Sequence, residues 1–324
     1  MKIAIVGGSG FIGRHTTREL IRHGHKVTIF DKVDPFSNNF FWPNDSLSVR
    51  FQEVDALNLQ ELDYAFRRTS TNYYNSFDAV YMFAAISDSK ENHIDIQHAI
   101  NTNIMCLTNT LKVCEDLKIP RIIFSSTVWV YSVSKDRDYV SEDEDLPITN
   151  SDHIYTTCKL ACESIVKNYC SVRDIDYTIL RYGIAYGPGC HPDTILSKFI
   201  TNAIDDVPLT ITGTGNTYRN FLFVEDHARG NRLALCDKAK NKVINLEGPE
   251  EITLDMVATR VKELHNKDVN IIYTSERHGD YRGKHVSNNR SLSLLGWTPT
   301  IDFKTGSKKL YEHIKNITSN CTAC

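Results

Sequence analysis

The sequence predicts an α/β protein: a doubly wound parallel sheet with a smaller C-terminal lobe that also mixes helix and strand. Three observations predict it. The first thirteen residues, MKIAIVGGSGFIG, pass from a short apolar strand through a tight glycine turn into helical spacing from Arg14. Strand and helix then alternate without a break as far as Phe124. The fifth strand of that series ends in Ser125-Ser126-Thr127, hydroxyls at the carboxyl edge, where such sheets keep their chemistry.

The first strand is Lys2 to Val6, and Gly7, Gly8, Gly10 and Gly13 follow it. Glycine suits a backbone that must take positive φ or let a ligand approach without a Cβ in the way, and the following helix aims free N–H groups at an anion. The anion this arrangement implies is a dinucleotide pyrophosphate, held on a Rossmann-type sheet. Gly8, Gly10 and Gly13 fit one known spacing, and Gly7, Gly10 and Gly13 another. Lys26 to Phe30 reads as the second strand and ends at Asp31. A carboxylate there accepts hydrogen bonds from ribose hydroxyls and repels a 2′-phosphate, which favours NAD over NADP; Lys32 beside it softens that repulsion. The alternative, a plain glycine-rich turn, is disfavoured by the strand, helix and acid standing together.

Residues 34–48 are turn-rich and aromatic and read as a long loop without an assigned role. Val49 to Glu53 is the third strand, leading to Asp55-Ala56 and a helix from about Leu59 to Arg68. Asp55 reads equally as an adenine contact and as a helix N-cap. Asp78 to Phe83 is a buried strand running into Ala84-Ala85, small residues that let a cofactor approach the backbone. Asn92 to Leu117 is one long helix, and Pro120 separates it from the strand Arg121 to Phe124. The loop KDRDYVSEDEDLP is a solvated acidic surface.

A helix then opens at about His153 and runs to about Tyr169, carrying Tyr155 and Lys159 four residues apart on one face. A phenol with its ordinary pKa of about 10 is a poor base near neutrality, and an ammonium beside it favours the phenolate. Tyr155 then takes a proton from an alcohol as a hydride leaves. By itself such a pair is common surface decoration; behind a dinucleotide turn and a hydroxyl-tipped strand it reads as catalytic.

The chain's 324 residues, 41% of them hydrophobic, can bury a large core. A net charge of −3 with scattered Lys and Arg gives no field for nucleic acid. No apolar stretch reaches membrane-spanning length, and the N-terminal run is too short for a signal peptide, so a cytoplasmic protein is expected. Nine cysteines in no scaffold pattern read as free thiols. The tail pair Cys321 and Cys324 lacks the partners a metal site needs, and no metal is expected.

These residues resemble the extended short-chain dehydrogenase/reductases that act on nucleotide sugars, the group of UDP-glucose 4-epimerase and dTDP-glucose 4,6-dehydratase. The likeness runs through Gly7, Gly10 and Gly13 with Phe11 and Ile12 between them, Asp31, Asp55-Ala56, VYMFAA at 80–85, Asn103, FSSTVWVYS at 124–132, Tyr155 with Lys159, RYGIAYGPG at 181–189, RNFLFVED at 219–226 and LGWTP at 295–299. It implies that Thr127 is the catalytic hydroxyl partner of Tyr155, that Lys159 holds the nicotinamide ribose, and that Asn103 serves the cofactor. Three departures from the family pattern involve four residues. Val128 and Trp129 stand where 4,6-dehydratases keep an Asp-Glu pair, which disfavours a dehydratase; Ile184 replaces an asparagine near the substrate diphosphate; and Met82 replaces a histidine.

The expected catalytic set is therefore Tyr155, Lys159 and Thr127. NAD contacts are expected from Gly7, Gly10, Phe11, Ile12, Gly13, Asp31, Lys32, Asp55, Ala56, Phe83, Ala84, Ala85, Asn103, Ser125, Tyr155, Lys159 and Tyr182. The nucleoside-diphosphate sugar is expected at Ser87, Thr127, Tyr186, Arg219 and Arg282, with Arg277 as an alternative to Arg282 and Tyr186 as a wall of the sugar pocket. Residues 1–181, joined by about 222–248, form the NAD-binding domain, and 182–221 with 249–324 form the substrate lobe. The resemblance implies a homodimer through the two long helices. The leading expectation is a nucleotide-sugar 4-epimerase; a 4-dehydrogenase or ketoreductase uses the same three residues, and a non-catalytic NAD scaffold is the reading from another class.

Overall fold

The structure, a computed structural model, describes residues 1–36, 49–69, 77–87, 95–275 and 283–321. The strand β1 (Lys2–Val6) leads through the glycine turn into α1 (Phe11–Arg22), then β2 (Lys26–Asp31), β3 (Val49–Glu53), α2 (Leu59–Thr69) and β4 (Ala79–Met82). An interrupted helix follows: α3 (Ile96–Ile100), a π turn at Asn101–Met105 and α4 (Cys106–Asp116). Next come β5 (Arg121–Thr127), a 3₁₀ turn at Val128–Val133, β6 (Tyr139–Val140), α5 (Ile154–Arg173) and β7 (Asp176–Tyr182). The rest of the chain forms β8 (Ile184–Tyr186), α6 (Ile195–Ile204), β9 (Leu209–Thr212), β10 (Tyr218–Phe223), α7 (Val224–Leu233), β11 (Lys242–Leu246), β12 (Glu251–Thr253), α8 (Leu254–His265), β13 (Ile271–Thr274), β14 (His285–Val286), α9 (Asn289–Leu295) and α10 (Phe303–Cys321).

Seven parallel strands lie in the order β11-β7-β5-β4-β1-β2-β3. From β1 the chain winds outward to β2 and β3, then crosses to place β4 on the other side of β1. The crevice of a doubly wound sheet opens at that reversal, outside the carboxyl ends of the strands. The inner strands are mostly apolar because helices cover both faces, whereas the edge strand β3 is polar at Arg50, Gln52 and Glu53. Ala4, Val6, Val80, Ile122 and Phe124 pack against Phe66 of α2, Leu107 and Leu111 of α4 and Val166 of α5. Ile3, Ile5, Tyr81, Ile123 and Ile244 pack on the opposite face with Leu20 of α1, Leu295 and Trp297. A separate core of Tyr186, Phe199, Phe221, Phe223, Val257, Phe303 and Leu310 builds the C-terminal lobe around the β12-β10-β8 sheet and the β13-β9 pair.

Several elements depart from the expected bounds for local reasons. Helix α1 starts at Phe11 rather than Arg14, with Gly10 as its N-cap, so the last residues of the glycine motif are already helical. Strand β5 carries its pairing through the hydroxyl residues, and Thr127 lies beside Tyr182 of β7. The long helix expected over 92–117 runs over 96–116 with a π turn inside it; residues 92–94 lie outside the described residues. Helix α5 runs on to Arg173 and stops at Asp174, whose φ of 54° takes the left-handed conformation of a C-cap. The charged loop after β5 is more than a solvated surface: Glu142 Oε1 accepts the Asn245 N–H at 2.9 Å, and β6 pairs with β14. Cys106, Cys114, Cys158, Cys162, Cys170, Cys190 and Cys236 are free thiols. Among the described residues no helix is long and apolar enough to cross a membrane.

Candidate active site

A cleft follows the carboxyl edge of the sheet as two adjoining cavities of about 430 and 380 Å³, joined at Gly7, Gly10, Phe83 and Ala85. The glycine turn builds its centre. Gly7 has φ +82°, and a Cβ there would sit 2.3 Å from the Ala84 nitrogen, so this strand end and that of β4 can approach only through glycine. A Cβ on Gly13 would meet the Gly7 carbonyl oxygen at 2.7 Å. Gly10 differs: its Cβ would meet only the Gly7 oxygen, at an ordinary 3.4 Å, and its open side faces the cleft. No side chain caps α1 and its first turn holds no acid, so its leading N–H groups point toward the cleft uncompensated.

In the first cavity Asp31 stands at the end of β2, its Oδ2 accepting from the Ser9 N–H at 2.9 Å and its Oδ1 from the Val33 N–H at 3.2 Å. Lys32 was expected to soften the Asp31 charge, but its Nζ pairs with Asp55 Oδ2 at 2.8 Å instead. Asp55 Oδ1 also accepts from the Leu57 N–H at 2.9 Å. Partial burial raises the Asp55 pKa, but the Lys32 and Leu57 hydrogen bonds outweigh it and hold the carboxyl below the usual carboxylate range. Ala56, Phe83, Ala84 and Ala85 line the cavity as expected, and Arg14, His98, Thr102 and Cys106 join them without having been anticipated.

Asn103 is not among the cleft-lining residues. From the π turn its Oδ1 accepts from the Ile86 N–H at 2.9 Å and its Nδ2 donates to the Ile86 carbonyl at 3.2 Å, so it clamps the segment after β4. Met82 is also buried in the core and takes no part in the cleft.

The second cavity gathers Phe11, Ile12, Gly13, Ser87, Ser125, Thr127, Tyr155, Lys159 and Tyr182. Ser125 Oγ donates to the Met82 carbonyl at 2.9 Å, and Thr127 Oγ1 accepts from the Trp129 N–H at 3.2 Å. Lys159 is 2% exposed; its Nζ donates to the Ser125 carbonyl at 2.8 Å and lies 5.6 Å from the centroid of the Tyr155 ring. Burial pulls the Lys159 ammonium down to about 8 and pushes the Tyr155 phenol up. The Lys159 ammonium is engaged by the Ser125 carbonyl and lies over the Tyr155 ring, and desolvation is what raises the phenol. Tyr182 donates its hydroxyl to Asn231 Oδ1, and its ring meets His227 edge-on at 4.9 Å.

Behind this wall lies a polar network that the sequence did not reveal. Glu163, one helical turn beyond Lys159, accepts from Ser126 Oγ at 2.6 Å and from Arg181 through Nε at 2.9 Å and Nη2 at 2.8 Å. Arg181 Nη1 donates to the Tyr131 hydroxyl at 2.9 Å, which donates in turn to Asn245 Oδ1 at 2.8 Å. Arg181 thus ties α5 to β7 and stays out of the cleft.

Two expected substrate residues lie elsewhere. Tyr186 is 2% exposed in the core of the lobe, packed against Phe221, Phe223 and Phe303, because it ends a strand rather than opening a turn. Arg219 on β10 is 8% exposed, donates Nη1 to the Tyr218 carbonyl at 2.8 Å, and does not line the cleft. Arg277 and Arg282 lie outside the described residues. Trp129, Ile184, Cys190, His191 and Thr194 also line the second cavity, with Ser126, Gly183 and Ala185.

The family described as NAD dependent epimerase/dehydratase matches the chain over residues 3–246. The UDP-glucuronate 4-epimerase of Thermodesulfobacterium geofontis is 24% identical over 312 residues, spanning 94% of this chain and 93% of that one. A Bacillus cereus UDP-glucuronic acid 4-epimerase, solved with UDP-4-deoxy-4-fluoro-glucuronic acid and NAD, superposes with a TM-score of 0.86 at 26% identity, covering 98% of this chain and 100% of its own. The UDP-glucose 4-epimerase of Thermotoga maritima, solved with UDP-glucose, has the same fold at a TM-score of 0.87 and 24% identity, covering 98% of this chain and 100% of that one. With the glycine turn, the parallel sheet and the Thr127, Tyr155 and Lys159 wall in place over the matched span, the chain belongs to the NAD dependent epimerase/dehydratase family.

Proposed function

We propose that the chain is an NAD-dependent nucleotide-sugar 4-epimerase working through a transient 4-keto sugar. The observation that carries this reading is the convergence of Thr127, Tyr155 and Lys159 on the cavity that Gly7, Gly10 and Gly13 also line. The cleft suits a dinucleotide: Gly10 leaves room beside the uncapped α1 terminus, which offers N–H donors to a pyrophosphate, and Asp31 offers carboxylate oxygens to a ribose while repelling a 2′-phosphate. Lys32 is held by Asp55 and does not pair with Asp31.

When bound, NAD supplies hydride acceptance and return at the sugar C4. Tyr155 takes the proton of the C4 hydroxyl through its phenol oxygen and later gives it back, and the Thr127 hydroxyl bonds the same sugar oxygen. The phenol, raised by burial, needs a neighbouring cation to lose its proton; Lys159 is placed to act as that cation. The Ser125 carbonyl holds the ammonium, and the Glu163–Arg181 pair holds the helix that carries both side chains.

In this reading residues 1–181 and about 222–248 hold the dinucleotide, and 182–221 with 249–324 hold the nucleotide sugar; the separate core of the lobe supports a division into two parts, while Leu295 and Trp297 pack with the dinucleotide sheet and Phe223 with the lobe. A homodimer through the helices of 96–116 and 154–173 is supported by the exposed apolar side chains Ile96, Ile100, Met105 and Val172. The free thiols accord with a cytoplasmic setting. Incubating the protein with NAD and UDP-, dTDP- or GDP-hexoses tests the activity. Epimerisation yields the C4 epimer by NMR with no lasting change in nicotinamide absorbance, whereas dehydrogenation changes both.

A further inference from the structure

We propose that Trp129 is the sugar platform of this cleft and that it selects a pyranose with a neutral substituent over a hexuronate. This rests on the nucleotide-sugar reading above. In the turn VWVYSV, Val128, Val130, Tyr131 and Val133 are buried in a small cluster with Val140 and Leu160. Trp129, the largest apolar side chain of the turn, packs against that cluster, stays half-buried and lines the cleft beside Thr127 and Tyr155.

Its position is tied to the reacting groups from two directions. The Trp129 N–H donates to Thr127 Oγ1 at 3.2 Å. The indole meets the His153 ring edge-to-face, with centroids 5.7 Å apart at 78°, and His153 is the N-cap of α5, its Nδ1 accepting from the Tyr155 N–H at 3.2 Å. A sugar hydroxyl placed between Thr127 and Tyr155 therefore puts the neighbouring ring carbons against a braced aromatic surface. A pyranose presents C–H groups there, and covering the indole with them removes apolar area from water. The electron-rich face of an indole offers nothing to a carboxylate, which would lose its hydration against it without a counter-charge. A hydroxymethyl group carries no such penalty.

The test compares wild type, Trp129→Phe and Trp129→Ala, each loaded with NAD, on UDP-glucose and UDP-glucuronate, with the dTDP-linked pair alongside. Wild type is expected to favour the glucose compound by about tenfold or more in kcat/KM, and Trp129→Ala to raise its KM by about tenfold while inhibition by free UDP stays within about twofold. Trp129→Phe, which keeps an aromatic face, retains most of the wild-type KM. Binding of UDP-glucose, but not of UDP, quenches tryptophan fluorescence in wild type, and the quench disappears in Trp129→Phe. An unchanged KM in Trp129→Ala, a quench that survives in Trp129→Phe, or a preference for UDP-glucuronate overturns the platform. Loss of turnover with every sugar in wild type overturns the epimerase reading instead, and the quench then decides the platform alone.

Discussion

Glu163 and Arg181 face each other as a two-bonded buried pair, Nε to Oε1 at 2.9 Å and Nη2 to Oε2 at 2.8 Å, both side chains below 5% exposure. The pair fastens the helix bearing Tyr155 and Lys159 to the strand beside Thr127, and Ser126 completes the tie. Its stability value lies in both halves being present.

Removing one half leaves an uncompensated buried charge. Arg181→Met is expected to destabilise the protein by about 3–5 kcal/mol, and Glu163→Gln/Arg181→Met by clearly less, since the double variant buries no charge. Urea unfolding of the two variants checks the order; equal losses would mean that the pair adds nothing beyond packing.

The glycines of the turn divide by role. Gly13→Ala drives a Cβ toward backbone at 2.7 Å and is expected to cost about 2 kcal/mol or more in stability. Gly10→Ala meets only ordinary contact at 3.4 Å, so its melting temperature stays near wild type while NAD affinity falls by about tenfold or more. Thermal melts and NAD titration separate the two outcomes.

Glu247 gives a pH signature. It is 3% exposed, with Oε1 accepting from the Gly248 N–H at 2.9 Å, and burial raises its carboxyl to about 8. The folded state therefore keeps a proton that the unfolded chain loses near its ordinary carboxyl pKa. This contribution to stability is complete below about 4.5, the ordinary value, declines as pH rises, and is gone above about 8. Glu247→Gln retains the acceptor and never ionises, so its advantage over wild type is expected to grow between pH 5 and 8.5, reaching on the order of a few kcal/mol. Denaturant midpoints that differ by the same amount at both pH values would contradict the burial account.

Catalytic chemistry and cofactor binding separate at Tyr155. Tyr155→Phe is expected to lower turnover by about 10³-fold while leaving NAD content unchanged, because the phenol oxygen moves the proton and the glycine turn holds the cofactor. Cofactor content by absorbance and turnover by NMR give the two readouts.

The parts of this fold that depend on neighbours in the chain were legible from sequence. The glycine turn, Asp31 closing β2, the apolar strands and the Tyr155 and Lys159 spacing each follow a local rule. What the sequence hid depends on partners far along the chain. Asn103 spends its amide on Ile86, Lys32 is drawn off by Asp55, and Tyr186 disappears into a core made by Phe221 and Phe303. The Glu163–Arg181 pair and the Trp129–His153 brace were hidden for the same reason.

¹H NMR of the protein with NAD and UDP-glucose tests whether this cleft interconverts the C4 configuration of a nucleotide sugar. The anomeric signal of the C4 epimer is expected to grow to a constant ratio from either starting sugar, with no accumulation of reduced nicotinamide. Stoichiometric reduced nicotinamide with no epimer, from UDP-glucose and its dTDP- and GDP-linked counterparts alike, would contradict it.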